Sequence, residues 1–158
     1  MDLTFPAKNG FFNYRVCAVI KHGGRLLAMK DNNTRYYYLP GGRVKFNEPA
    51  EKAIKREMTE ELGIEAIIVR PLWLCQGFFV EDETGETFHE LCIYFLVDVS
   101  DTDIIRKDSF KGTNTKKEEI FEWLDTDTLG NQYLYPRFIK EKINDLPENF
   151  ELLTEWEY

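Results

Sequence analysis

The alternation of apolar and polar positions predicts a chain built mainly from strands. In Phe12–His22, the apolar residues Val16, Ala18 and Ile20 recur at every second position, which is typical of a strand with one buried face. A turn at Gly23-Gly24 predicts that Arg25–Lys30 returns as the next strand. Further strands are predicted at Arg35–Leu39, within Ile64–Val80, at Phe88–Val99 and, as the last strand, at Glu119–Leu124.

Two segments have helical rather than strand periodicity. The first begins after Asn47, which can cap it, and ends at Gly63, which predicts a left-handed cap. The second is Tyr135–Leu146, where apolar residues recur at helical spacing before a proline. Ser100–Lys117 is the longest predicted loop, and the tail Pro147–Tyr158 fits no predicted element. Strands joined by turns, together with two principal helices, predict a mixed sheet covered by helices.

Composition and charge narrow the class of protein. A length of 158 residues suits one domain, and a net charge of −8 disfavours duplex nucleic acid or an anionic membrane as a partner. The longest apolar runs are far shorter than the ~20 residues that span a bilayer, and the N-terminus lacks signal-peptide features, so we expect a cytoplasmic protein. A homodimer is compatible with the sequence. The three cysteines, Cys17, Cys75 and Cys92, are expected to be buried free thiols.

Three glutamates of the first helix share the face that carries its apolar residues. At ~100° per residue, Glu60 and Glu61 lie within about 60° of Glu57, and Ala53 and Ile54 point into the same sector. Partly desolvated carboxylates repel one another, which raises their pKa values, and Mg²⁺ or Mn²⁺ removes this conflict because these ions prefer oxygen ligands. The helical wheel alone leaves two interpretations open, a metal site and an ordinary surface cluster of acids.

The spacing around this helix is much more specific than its acid content. Gly42, five residues, Glu48, seven residues and the segment Arg56–Ile64 (REMTEELGI) resemble the Nudix box, Gly-x5-Glu-x7-Arg-Glu-U-x-Glu-Glu-x-Gly-U, where U is a bulky aliphatic residue. Every fixed residue matches, and only Met58, which is apolar but unbranched, departs mildly from the pattern. By this resemblance the chain is identified as a MutT-like member of the Nudix hydrolase family.

The resemblance implies a fold and an activity. The fold would be a Nudix-type α/β/α sandwich with a mixed β-sheet, as a single domain over residues 1–158 with the box at 42–64 and a C-terminal helix at about 135–146. The activity would be Mg²⁺- or Mn²⁺-dependent hydrolysis of a small-molecule nucleotide, a nucleoside diphosphate linked to another moiety X, by attack of water on a phosphorus of the pyrophosphate. The alternative is a non-catalytic Nudix-fold module that senses a nucleotide or an ADP-ribose-like ligand.

The resemblance also implies roles for residues of the box. The metal ligands would be Glu57, Glu60 and Glu61, with the carbonyl of Gly41 as a fourth. Arg56 would orient Glu57 through a salt bridge. Structural roles in the box would fall to Gly42, which permits the turn into the helix, to Glu48, which supports the loop or binds the metal through water, and to Gly63, which ends the helix.

Residues outside the box are expected to complete the site. The general base varies in this family, and the candidates here are Glu57 within the box and Glu118 or Glu119 where the long loop meets a strand, with Glu90 as a further carboxylate. Glu119 is preferred slightly because it lies nearer the strand. Candidate substrate-binding residues are Arg15 and Arg35 for phosphate, and Tyr37 and Phe79, among other aromatics such as Tyr36, Phe78 and Phe88, for a nucleobase.

Overall fold

The computed structural model describes residues 1–157, and strands dominate it. No helix within those residues is long and apolar enough to cross a bilayer. The helices are α1 (Ala50–Leu62), α2 (Phe138–Lys142) and two short 3₁₀ turns at Asp103–Arg106 and Thr126–Asn131. The strands are β1 (Thr4–Ala7), β2 (Gly10–Val19), β3 (Lys21–His22), β4 (Arg25–Asp31), β5 (Gly41–Arg43), β6 (Ile67–Val80), β7 (Thr87–Asp98), β8 (Ser109–Lys111), β9 (Glu119–Asp125) and β10 (Glu151–Glu157).

The strands form two sheets, and the larger one is mixed. Its order is β1-β2-β7-β6-β10, and β5 also pairs with β2. The β2–β7 and β6–β10 pairs are parallel, whereas β6 and β7 form an antiparallel hairpin. The second sheet has the order β3-β4-β9-β8. The predicted mixed sheet with helices is therefore confirmed.

Alternate residues of β2 enter two different cores, one on each face of the sheet. Val16, Ala18 and Ile20 pack with the apolar face of α1, whereas Cys17 and Val19 belong to the core that contains α2. Because side chains alternate across a strand, one sequence supplies both cores. Helices on the two faces give the α/β/α sandwich. All three cysteines are buried and free, as predicted.

Helix α1 ends where the sequence predicts but begins later. Gly63 adopts a left-handed conformation with φ of 64°, and its amide donates a hydrogen bond to the carbonyl of Thr59 at 3.0 Å. Asn47 does not cap the helix, so this prediction is wrong. Asn47 has φ of 62°, the helix begins at Ala50, and the residue before it, Pro49, makes no side-chain capping bond. The turn at Asn47 instead brings Glu48 towards the helix.

The C-terminal region differs most from the prediction. The helix predicted at Tyr135–Leu146 is only α2, because the amide of Tyr135 bonds to the carbonyl of Tyr37 (3.0 Å) instead of entering a helix. The tail, which fitted no element, contains β10, so β9 is not the last strand. Tyr158 lies outside the described residues.

Two other predicted elements also need correction. Arg35–Leu39 is not a strand, since only isolated bridges, Met29–Tyr38 and Tyr37–Leu134, involve it. The segment predicted as one long loop, Ser100–Lys117, contains a 3₁₀ turn and β8. The first strand, β1, had no counterpart among the predicted elements.

Substituting Gly63 with alanine is expected to lower the free energy of unfolding by about 1 kcal/mol, because L-residues are disfavoured in the left-handed region. A Cβ there would also lie 3.1 Å from Cγ2 of Thr113. Urea unfolding measures the effect. The control is Gly130→Ala, which adds the same methyl group in open space without a positive φ. Equal stabilities of the two variants would show that the cap conformation contributes nothing.

Candidate active site

One cavity of about 620 Å³ lies where α1 and β5 meet a face of the large sheet. It gathers residues from distant parts of the sequence, from Asp2 to Glu157, which the two sheets and the helix bring together. The residues singled out from the sequence that line it are Arg15, Gly41, Gly42, Glu57, Glu60, Glu61, Phe79, Glu90 and Glu119, together with Tyr36 and Phe88.

Four residues proposed from the sequence as bases or substrate contacts lie away from this cavity. One of them, Phe78, stacks on His89 and Trp156. The other three are Arg35, Tyr37 and Glu118. Arg35 is exposed and pairs with Glu83 at 3.1 Å. Tyr37 donates a hydrogen bond from its hydroxyl to a carboxylate of β9 at 3.1 Å, outside the cavity. Glu118 is exposed and pairs with Lys111 at 3.0 Å, on the opposite side of the strand from its neighbour in sequence. The structure does not bring these four side chains to the site.

Arg56 connects the start of the box to its glutamate-rich half. Its Nε and Nη2 donate to the two carboxylate oxygens of Glu48 at 2.7 and 2.9 Å, and its Nη1 donates to Glu57 at 2.8 Å. Nη1 also lies 3.4 Å from Glu60, and Nη2 bonds to the carbonyl of Arg43 at 3.0 Å. The hydrogen bonds from Arg56 lower the pKa of Glu48 to about 2. One guanidinium therefore fixes the carboxylates of Glu48 and Glu57 relative to β5.

The two glycines of β5 allow α1 to approach closely. A Cβ on Gly42 would overlap the carboxylate of Glu57, and a Cβ on Gly41 would overlap the backbone of Val16. The amide of Gly41 donates to the carboxylate of Glu61 at 3.3 Å. Gly42 therefore serves close packing against Glu57, within a short strand, rather than the turn that was expected.

Three buried or partly buried carboxylates around the cavity have raised pKa values. Burial is the largest cause for Glu57, Glu61 and Glu119, and the charge of Glu119 raises the pKa of Glu61 further. The charge of Glu57 also raises the pKa of Glu61 and of Glu119. The hydrogen bonds from Arg56 to Glu57 and from Gly41 to Glu61 oppose these shifts without cancelling them. The site therefore holds more negative charge than its protein partners compensate.

Glu119 shows this lack of compensation most directly. Glu119 is only 4% exposed, and its Oε1 has no hydrogen-bond partner among residues 1–157. An unpaired carboxylate oxygen in a buried position is costly unless a ligand, an ion or water completes it. Glu119 begins β9, and it lines the cavity opposite Glu61.

The donor set suits a hard divalent cation, although it is not preassembled. Among residues 1–157, no three carboxylate, imidazole or thiol side chains are already close enough to enclose a metal ion. Glu57 and Glu60 are turned towards Arg56, and Glu61 towards the amide of Gly41. Carboxylate oxygens that line one cavity and are only partly compensated by protein partners are the kind of donor that Mg²⁺ or Mn²⁺ prefers.

Sequence reasoning missed a second group of cavity residues on β2 and β7. Asn13 and Cys17 lie on the same face of β2 as Arg15, and β7 adds Cys92 and Tyr94 beside them. The two-residue period of β2 carried this signal, since Asn13, Arg15 and Cys17 alternate with core residues. What the sequence lacked was the partner strand, because β2 pairs with a segment some seventy residues away.

Comparison with known proteins identifies the family. The family model of the NUDIX domain matches residues 12–145. No curated protein matches the chain. A MutT Nudix hydrolase from Burkholderia pseudomallei shares the fold with a TM-score of 0.51 at 24% identity, over 73% of this chain and 84% of that one.

Two further structures share the fold at lower identity. A Nudix hydrolase from Nitrosomonas europaea has a TM-score of 0.60 at 15% identity and covers 95% of this chain and 82% of its own. A UDP-X diphosphatase has a TM-score of 0.53 at 18% identity, over 84% of this chain and 59% of its own. Since the family match spans most of the chain and contains the complete box, the chain belongs to the Nudix family and is a Nudix hydrolase.

Proposed function

We propose that the chain, as a single domain over residues 1–158, hydrolyses the pyrophosphate bond of a nucleoside diphosphate linked to a moiety X, with Mg²⁺ or Mn²⁺. Nudix hydrolases act on small-molecule nucleotides and generally use divalent metal ions. The observation that carries the proposal is the set of buried carboxylates, including the unpaired oxygen of Glu119, around one cavity. A relative with the same fold is a UDP-X diphosphatase, which agrees with a substrate of this class.

The metal would be held by the carboxylates of α1. Glu57, Glu60 and Glu61 are the proposed ligands, and the carbonyl of Gly41 is a fourth, because Gly41 already contacts Glu61 through its amide. When bound, the cation would neutralise charge on the pyrophosphate and make a water molecule more acidic. Arg56 would act as a positioning residue, since it holds Glu57 and Glu48 in place through four short contacts to them and to Arg43.

Glu119 is the proposed general base. It is buried, its Oε1 is free to accept a proton, and burial with the nearby charges raises the pKa of its carboxyl. Glu119 would take a proton from the attacking water while the oxygen of that water bonds to phosphorus. The bridging oxygen of the pyrophosphate leaves with the other phosphate. Glu118 is exposed and paired, so we assign it no part in the reaction.

Arg15 is the proposed contact for a phosphate of the substrate. It lines the cavity, and within residues 1–157 its guanidinium makes no hydrogen bond or ion pair, although the charges of Cys17 and Glu90 raise its pKa. A cation without a partner on a cavity wall is suited to an anionic group. Phe79 stacks on Phe88, with 5.2 Å between the two ring centroids, and is the proposed aromatic surface against which the substrate packs.

The non-catalytic alternative is disfavoured by the same residues. A module that only senses a nucleotide needs neither a complete set of box acids nor a buried carboxylate with an unpaired oxygen.

Activity is expected to require a divalent cation. Phosphate release from nucleotides and nucleotide sugars should proceed with Mg²⁺ or Mn²⁺ and vanish in excess EDTA, because the carboxylates around the cavity carry more negative charge than Arg56 neutralises. Adding Mg²⁺ back should restore the rate. Full turnover in EDTA would overturn the proposed mechanism.

Glu119→Gln is expected to lower kcat by at least ~10²-fold with little change in KM, the pattern for a group that acts in the transition state. The matched control is Glu118→Gln, the neighbouring residue with the same substitution, which should retain near-normal kcat. Steady-state kinetics at saturating Mg²⁺ measures both. Equal rates for the two variants would move the base to Glu57 or Glu90.

Glu61→Gln is expected to raise the melting temperature of the metal-free protein at neutral pH. The folded pKa of Glu61 lies above its unfolded value, so the folded state binds the proton more tightly and loses stability as pH rises above about 4.5. The variant should therefore also flatten the fall in stability as the pH rises above about 4.5. Thermal melts in EDTA measure this, with Glu60→Gln, an exposed neighbour, as the control. A lower melting temperature for Glu61→Gln would mean that Glu61 is structural.

A further inference from the structure

The part of the cavity farthest from α1 has a floor made of residues in register on four neighbouring strands. Asn13 of β2 pairs with Glu90 of β7, Glu90 with Gly77 of β6, and Gly77 with Glu155 of β10. Residues in register on adjacent strands present their side chains on the same face of the sheet. All four residues of this row line the cavity, and Gly77 is the one that has no side chain.

Neither the backbone nor the packing requires glycine at position 77. Its φ is not in the left-handed region, and a Cβ there would find its nearest atoms, the carbonyl of Glu90 and the ring of Phe79, at an ordinary 3.8 Å. Glycine within a strand is otherwise unfavourable, and it often marks a place where a ligand approaches the backbone. The missing side chain leaves a notch, which we call the Gly77 notch, between Glu90 and Glu155.

The groups around the Gly77 notch are mainly hydrogen-bond acceptors. Glu90 receives only a long hydrogen bond from the amide of Asn13, at 3.5 Å, and Glu155 lies on the other side. The next carboxylate along β10, Glu157, also lines the cavity. Partial burial raises the pKa of Glu90 and of Glu155, while Arg15 opposes the shift at Glu90. A negatively charged group in the notch would be repelled by these carboxylates.

Arg15 lies on the side of the notch that faces α1, and Arg43 and Lys117 are further cations that line the cavity. Arg15 lies on β2, in register with Arg43 of β5 and with Cys92 of β7. The strand order from the box end is β5, β2, β7 and β6, so Gly41 and Gly77 are three strand spacings apart across the sheet, about 14 Å, and are also offset by four residues along the strands. A pyrophosphate at the carboxylates of α1 and at Arg15 therefore does not reach the notch, whereas a group linked to it does.

We propose that the Gly77 notch binds the moiety X of the substrate and selects groups that donate hydrogen bonds and carry no negative charge, namely the hydroxyls of a sugar or a primary ammonium. This inference rests on the proposed function. It narrows the substrate from any linked nucleoside diphosphate to those whose X donates hydrogen bonds and carries no negative charge. Glu90 and Glu155 accept hydrogen bonds from the donors of X, and Phe79 packs against its ring or chain.

The test compares substrates that share a nucleoside and differ only in X. UDP-glucose and UDP-glucuronate differ at one position of the sugar, which is a hydroxymethyl group in the first and a carboxylate in the second. With Mg²⁺, kcat/KM for UDP-glucose is expected to exceed that for UDP-glucuronate and for UTP by at least ~10-fold, in the range that unfavourable burial of charge produces. CDP-ethanolamine and CDP-choline, compared with CTP, distinguish ammonium donors from sugar hydroxyls.

Gly77→Ala fills the notch and is the decisive variant. It should lower kcat/KM for the preferred X by ~10-fold or more and change kcat/KM for the triphosphate of the same nucleoside by less than about twofold. The matched control, Gly130→Ala, adds the same methyl group away from the cavity and should alter neither value. Thermal melts of both variants check that they fold.

Glu90→Gln is the second variant, because it keeps the shape of the side chain and removes its charge. It should reduce the preference for UDP-glucose over UDP-glucuronate at least fivefold, mainly by improving hydrolysis of the glucuronate. This outcome does not depend on the folding of the Gly77 variant.

The outcomes separate the inference from the proposed function. Preference for a donor-bearing X that Gly77→Ala abolishes supports the inference. An active enzyme that prefers UTP, or whose selectivity is unchanged in both variants, overturns the inference and leaves the proposed function standing. No hydrolysis of any of these nucleotides with Mg²⁺ or Mn²⁺ overturns both.

Discussion

The position of β2 between β5 and β7 determines the geometry of the whole site. On one side, the pairing of Arg15–Cys17 with Gly41–Arg43 holds the loop that leads into α1, and so sets where the acids of the box face. On the other side, the parallel pairing with β7 brings Glu90 and Cys92 beside Asn13 and Arg15. Because a shift of one residue in either register would turn these side chains to the opposite face, the two pairings must both be correct for the cavity to exist.

The site concentrates charge that the fold itself does not neutralise. Arg56 compensates Glu48 and Glu57, but Glu61 and Glu119 are only 5% and 4% exposed, and burial raises the pKa of both, although Arg15 opposes the shift at Glu61 and Lys117 the shift at Glu119. A protein selected for stability alone would replace such groups with apolar residues. Their retention is understandable where a cation and a substrate supply the missing partners. The apolar cores on both faces of the large sheet offset the destabilisation that the buried carboxylates cause.

The parts of the structure that follow from local sequence could be predicted, and those that depend on distant pairing could not. The shared face of Glu57, Glu60 and Glu61 follows from helical periodicity, and the left-handed cap at Gly63 follows from one residue type. Tyr37 and Arg35 were assigned to the site on residue type, but alternation along the extended segment directs Tyr36 to the cavity instead. The tail gave no signal because β10 is defined by its parallel pairing with β6, which is remote in sequence.

The same alternation explains why two adjacent glutamates have such different environments. Glu118 ends a loop and is exposed, whereas Glu119 is the first residue of β9 and turns inward, where its partner on β4 is Asp31. The sequence offered both as bases and favoured Glu119 only for its nearness to the strand. Burial supplies the stronger argument. An exposed carboxylate such as Glu118 is already solvated by water, so accepting a proton stabilises it little. A buried carboxylate oxygen without a hydrogen-bond partner is stabilised more when it accepts a proton. The division of the cavity into an acidic end at α1 and β9, the guanidinium of Arg15 on β2 and a notch over Gly77 then follows from the order of strands across one face of the sheet.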